Sequence, residues 1–376
     1  MTGLSDNFWD AVVVGAGPAG SIAAREMARR GLRVLLVDKA HFPRSKVCGC
    51  CLNGNALAAL AHVGLGQLPK NLGATPLTHM TLAAKGRTAN ISLPVGVSLS
   101  RTAFDAALIQ EATSAGVSFQ PGITAKLGDV IGERREVILD QTRTIAAKVV
   151  VVAAGLNHRV NSPPVVSASS RIGAGVILDH APPEYSVGCI FMATARHGYV
   201  GLVRVEDGRL DIAAAFDAEY VKAAGGLGEA ACRVLNEAGL PSIPELQDAP
   251  WKGTPPLTRH PRQIAGERWF AVGDAAGYVE PFTGEGMAWA IGGATAVAKL
   301  AAKAAAHWSD AYRAEWRSTH ARLIGSRQRW CRVAARVLRS PFLCACLVRG
   351  LSLMPGLAGP FVRGLNRPPA IAGVTS

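Results

Sequence analysis

The chain has 376 residues, 49% hydrophobic and 18% charged, which is enough apolar material for a large core and enough length for two or three domains. Its eight cysteines are too sparse for a disulfide scaffold, no His/Cys set shows zinc spacing, and no apolar run reaches the ~18 residues of a membrane-spanning helix. The net charge of +13 favours anionic partners, but it is local: no acidic residue follows Glu315, whereas Arg317, Arg322, Arg327, Arg329, Arg332, Arg336, Arg339, Arg349, Arg363 and Arg367 do. No nucleic-acid module accompanies this charge, so nucleic acid is not an expected partner. The polar N-terminus does not look like a signal peptide, and a reduced, cytoplasmic chain is expected.

Asp10–Val14 is a short β-branched run stopped by glycines, which predicts a buried parallel strand. An alanine-rich helix over Ser21–Arg30, a stop at Gly31 and a second strand over Leu32–Val37 ending at Asp38 complete a βαβ unit. A helix is expected at Asn55–His62, strands between Thr81 and Leu99, and a helix at Arg101–Ala115 with Thr102 as its N-cap. Val117 and Phe119 begin another strand. Val130–Leu139 and Thr144–Ala153 predict a hairpin returning to the sheet. Alternation then dominates at Ile172–Leu178, Ser186–Ala193, Tyr199–Val205 and Arg209–Phe216, an antiparallel sheet followed by a helix at Gly228–Ala238. Trp269–Val272 is a last strand, Gly286–Lys303 a long helix, and helical periodicity runs from Asp310 through Leu338.

Two glycine motifs carry chemistry. Gly15-Ala16-Gly17-Pro18-Ala19-Gly20 is G-x-G-x-x-G at a strand-to-helix turn. Gly15 permits the turn, Gly17 lets backbone approach a pyrophosphate, Gly20 lets the helix pack on the sheet, and the helix N-terminus attracts the phosphates. Asp38 is placed to accept from ribose hydroxyls, with Lys39 beside it. This motif alone does not separate FAD from NAD. The second motif is a strand running into Gly273-Asp274-Ala275-Ala276-Gly277, then Pro281, Thr283, Gly284, Glu285 and Gly286 before the long helix.

These residues resemble the FAD-dependent oxidoreductases of the para-hydroxybenzoate hydroxylase fold, and within them the geranylgeranyl reductase family, which has G-D-A-A-G followed by P-x-T-G-E-G. The stretch Phe42-Pro43-Arg44-Ser45-Lys46-Val47-Cys48-Gly49 is similar to the family's F-P-R-x-K-x-C-G. Arg101 with Phe104 and Asp105 matches an R-x-x-F/L-D pattern whose arginine reaches the FAD. The chain departs from the family at Cys50 and Cys51, where small residues are usual, and at Ala153-Ala154-Gly155, where A-D-G is usual.

The resemblance implies an α/β, overall α+β, fold: a dinucleotide-binding FAD domain (7–80, 101–160 and 262–320), an inserted antiparallel-sheet substrate domain (81–100 and 161–261) and a basic, amphipathic helical C-terminal region (321–376). It implies FAD held by Gly15, Gly17, Pro18, Ala19, Gly20, Asp38, Lys39, Arg44, Lys46, Cys48, Gly49, Arg101, Gly273, Asp274, Pro281, Gly284, Glu285 and Gly286. Cys48 and Glu285 are then the catalytic candidates near the flavin, and NADPH or ferredoxin the electron donor. The reaction implied is hydride transfer to a C=C bond of a hydrophobic, lipid-like substrate. The alternatives are a flavin monooxygenase and a non-catalytic lipid-binding protein on the same fold; no W-x-W-x-I-P stretch supports a halogenase. Tyr199 and Trp289 are expected in the core. Phe342, Leu343, Leu347, Leu351, Leu353, Met354 and Leu357 lie among the C-terminal arginines, a composition suited to peripheral contact with an anionic membrane.

Overall fold

A computed structural model describes residues 8–156, 163–280, 282 and 284–366. Its first sheet places Phe8–Val14 at the centre, between Val34–Asp38 and Arg143–Val152, all parallel. Ser118–Pro121 extends one side and Trp269–Ala271 the other, again in parallel. The central residues Val12, Val13, Val149, Val150 and Val151 are wholly buried, as a strand covered on both faces requires. The region expected as one hairpin is three strands. Ala125–Ile131 and Arg134–Leu139 pair with each other, and the second pairs antiparallel with the first half of Arg143–Val152.

The helix Pro18–Ala28 packs between Arg101–Ser114 and Gly286–Ala306. Its start at Pro18 rather than Ser21 follows from the free first-turn N–H positions, where proline costs nothing. The N-cap of Arg101–Ser114 is Ser100, not Thr102: the Ser100 hydroxyl accepts from Ala103 N at 3.1 Å. Glu206 fixes that cap, accepting from Ser100 Oγ at 2.6 Å and Ser100 N at 2.7 Å.

The second sheet runs in the order Lys252–Pro256, Ile172–Leu178, Leu210–Phe216, Gly198–Arg204, Cys189–Ala195, His79–Ala84, Arg87–Ser92. It is antiparallel except where Cys189–Ala195 meets His79–Ala84. One face packs on the helices Ala218–Ala224 and Leu227–Ala238; the other packs on residues of the C-terminal helices, Cys344, Val348, Leu351 and Val362 among them. The stretch 81–100 divides between sheets, because Gly96–Ser98 leaves to pair with Cys51–Asn53 and Thr75–Pro76. The helical C-terminus is broken rather than continuous: a π-turn at Ala321–Gly325 separates Ala311–His320 from Ser326–Arg339, then Pro341–Leu353 and Gly359–Asn366 follow.

Candidate active site

The carboxyl ends of Phe8–Val14, Val34–Asp38, Arg143–Val152 and Trp269–Ala271 open together on a cavity of about 1210 Å³. A crevice outside the carboxyl ends of a parallel sheet is where dinucleotides bind in such folds. The volume exceeds the roughly 300–1,000 Å³ of common ligand pockets, leaving space for a second molecule beside a dinucleotide.

Each glycine of the first motif has its own reason. Gly15 has φ +106°, and a Cβ there would stand 2.4 Å from Ala153 O. A Cβ on Gly20 would stand 1.7 Å from Gly15 O, so the helix and turn touch backbone to backbone. Gly17 differs. Its nearest neighbours would be the Arg101 and Arg44 guanidinium nitrogens, both at 3.8 Å, so the space above it is open and edged with positive charge. Arg44 Nε is buried without a hydrogen-bond partner among the described residues. An open backbone cradle, a helix N-terminus and an unsatisfied guanidinium together fit the diphosphate of FAD. Asp38 is held ready for the ribose: its Oδ2 accepts from Ala16 N at 2.7 Å and its Oδ1 from Ala40 N at 2.8 Å. Lys39, Pro18 and Ala19 complete this wall.

The second glycine loop converges on the first. Gly273, at φ +62°, lies so close to the first helix that a Cβ there would be 2.9 Å from Ala19 Cβ. Asp274 lines the same cavity as Gly17, with Lys46 Nζ 3.9 Å from its Oδ2. Burial pulls the Lys46 ammonium below its ordinary value against the pull of Asp274. Gly284 and Gly286 line the cavity at the start of the long helix. Pro281 and Thr283 lie outside the described residues.

Arg101 is buried and bidentate on Asp105, with both N···O distances at 2.7 Å, and Arg44 approaches the same carboxylate at 3.7 Å. Cys48 and Gly49 line the cavity next to this pair. A hydrogen bond from Cys50 lowers the Cys48 thiol to about 5; burial opposes this and the Arg101 charge assists it. Cys50 is buried, in a left-handed backbone conformation at φ 48°, and its thiol is pushed well above the ordinary range.

Glu285 corrects the sequence reading. It is 1% exposed and does not line the cavity: Oε1 accepts from Arg327 Nη1 at 2.5 Å, and Oε2 lies 3.7 Å from Cys331 Sγ. The partner that engages it stands 42 residues downstream on Ser326–Arg339. Gly20 also stays off the cavity wall, consistent with its packing role. Tyr199 is buried as expected but also lines the cavity, edge-on to Phe282 at 5.2 Å. Trp289 packs against Val279 and Ile324.

Sequence reasoning missed Asp211. It stands opposite Val203 in register and so shares the cavity-facing side of the sheet. It is 4% exposed, and its Oδ2 has no hydrogen-bond partner among the described residues. Burial first, then the Cys48 charge, pushes its carboxyl well above the usual carboxylate range. The available signal was one acid in the otherwise apolar strand Leu-Asp-Ile-Ala-Ala-Ala-Phe.

Residues 9–171 match the family model described as FAD binding domain. A menaquinone reductase of Mycolicibacterium smegmatis is 28% identical over 312 residues, 74% of this chain and 72% of that protein. Protein FixC of Salmonella typhimurium is 26% identical over 351 residues, 79% of this chain and 77% of that protein. The solved structure of a flavin-dependent brominase has a TM-score of 0.74 over 96% of this chain and 93% of that chain; at 19% identity the likeness is one of fold. With two glycine loops meeting over one cradle and a FAD-binding domain matched across the first, the chain is a FAD-dependent oxidoreductase.

Proposed function

We propose that this enzyme is a reductase that hydrogenates C=C bonds of a hydrophobic, lipid-like substrate, in the manner of the geranylgeranyl reductase family it resembles. The polarity gradient of the cavity carries this reading. Its charged lining residues are Asp38, Lys39, Arg44, Lys46, Arg101, Lys126, Lys252 and Asp274. These belong to the nucleotide loops and their surroundings, Lys252 donating to Ser45 of the Arg44–Lys46 loop at 2.6 Å. The C-terminal helices contribute Val333, Val337, Leu347, Leu351, Leu357, Phe361 and Val362, with Asn366 as the one polar contributor from that side. The walls between hold Met80, Leu82, Ile91, Leu93 and Met192. An apolar chain would gain roughly 25 cal/mol for each Å² it buries there. The menaquinone reductase relative is in keeping with this class of substrate.

Bound FAD would supply the hydride. The chain's own residues have two tasks. The apolar walls orient the substrate and exclude water. Saturating a double bond also consumes a proton, and of the neighbouring Cys48, Cys50 and Asp211 it is Cys48 that lines the cavity. In this reading Cys48, which lines the cavity, hands the proton to substrate carbon and takes its replacement from the side of Asp211.

Mass spectrometry tests the proposal. Chemically reduced holoenzyme incubated under argon with a polyprenyl alcohol, which has no quinone ring to take the electrons, should yield product heavier by two hydrogens. Product that forms only with oxygen, and gains an oxygen atom, would assign the cavity to a monooxygenase instead.

A further inference from the structure

The cavity is not closed by the C-terminal helices. Val333, Leu347, Leu357 and Phe361 line it and are also 48%, 40%, 59% and 48% exposed, so they form an apolar lip around its mouth. Beyond the lip, Phe342, Leu353 and Met354 are 72%, 73% and 61% exposed. The helix Pro341–Leu353 explains this placement. Cys344, Val348 and Leu351, at helical spacing, pack with Leu82, Ala89 and Ile91 of the middle sheet. Its opposite face presents Phe342, Leu343 and Leu347 outward. A helix apolar on both faces and covered on one has an unpartnered side. A polar rim on a water-facing monomer would not look like this.

Charge identifies the occupant. Arg332, Arg336, Arg349 and Arg363 are exposed on the same three helices, and the sequence holds no acidic residue after Glu315. Basic residues interleaved with large apolar ones complement an anionic lipid surface. Among the described residues no single helix is long and apolar enough to cross a membrane; Pro341–Leu353 and Pro355–Gly364 are apolar enough only as a pair, bent by 118°.

We infer that Ser326–Arg339, Pro341–Leu353 and Gly359–Asn366 dock on an anionic membrane surface, seating the cavity mouth in the lipid so that substrate enters the flavin site from the bilayer without crossing water. This rests on reading the cavity as a lipid site, but its test uses no turnover. Full-length holoenzyme is sedimented with vesicles of phosphatidylcholine alone or with phosphatidylglycerol added. Partitioning should be at least about tenfold stronger onto the anionic vesicles and should weaken in high salt. Phe342→Glu with Leu353→Glu, and separately Arg332→Glu with Arg349→Glu, should each cut it by about tenfold or more, with flavin absorbance unchanged. Equal binding to both vesicle types, or undiminished binding by the Phe342→Glu/Leu353→Glu variant, overturns the docking face. So does a concentration-dependent dimer in sedimentation velocity that those two substitutions abolish, since it gives the face to a second copy. Vesicle binding without hydrogenation of detergent-dispersed lipid would keep the docking face and remove the substrate assignment.

Discussion

Gly17 and Gly20 share one motif yet have opposite constraints. Gly17 faces open space, so Gly17→Ala should leave the melting temperature nearly unchanged while weakening FAD binding about tenfold or more, read by flavin fluorescence quenching. Gly20→Ala would force a methyl against Gly15 O and should cost about 1–3 kcal/mol or more in denaturant unfolding. Cys48 offers a second check at this scale. Its folded-state value lies below that of a free thiol, so thiolate ultraviolet absorbance should persist as pH falls and be lost around pH 5. Cys50→Ala removes the largest cause, and the midpoint should rise toward the ordinary thiol range. An unmoved midpoint would reassign the thiolate to Arg101. The motif glycines, Asp38, Arg44 and Cys48 were legible because local spacing dictates their roles. Glu285 and Asp211 were not, because their environments come from Arg327 and Cys50, distant in sequence.

Helix Arg101–Ser114 ties the nucleotide site to the middle sheet through two contacts made at its first turn. The Ser100–Glu206 contact joins the helix start to the end of strand Gly198–Arg204, and the Arg101–Asp105 pair sets the guanidinium beside Cys48 and the cradle. Removing one partner of a buried ion pair leaves the other charge uncompensated, so Asp105→Asn should destabilise the protein by roughly 3–5 kcal/mol in denaturant unfolding. A change under about 1 kcal/mol would mean that Cys48 or solvent replaces the partner. The existence of this helix was readable from its pattern, but its cap was not: Ser100 and Thr102 are equally plausible by type, and only the Glu206 carboxylate distinguishes them. The break at Ala321–Gly325 was hidden for a similar reason, since apolar periodicity continues through it.

At the scale of the molecule, the parallel sheet supplies the charged, glycine-built end of the cavity, the antiparallel sheet its walls and the C-terminal helices its mouth. The βαβ unit and the second glycine loop announced the first of these, because a dinucleotide cradle leaves few choices of residue. Apolar alternation announced the second sheet but not its order, which depends on the parallel pairing of His79–Ala84 with Cys189–Ala195 across more than a hundred residues. The assembled cavity makes one demand: reduced flavin should be reoxidised by an apolar unsaturated molecule, not by oxygen alone. Stopped-flow mixing of photoreduced holoenzyme with a polyprenyl alcohol, whose only reducible groups are C=C bonds, under argon measures this directly. Return of the yellow flavin absorbance at a rate that rises with lipid concentration is the predicted result. Flavin that stays bleached under argon and recovers only when air is admitted would contradict the account.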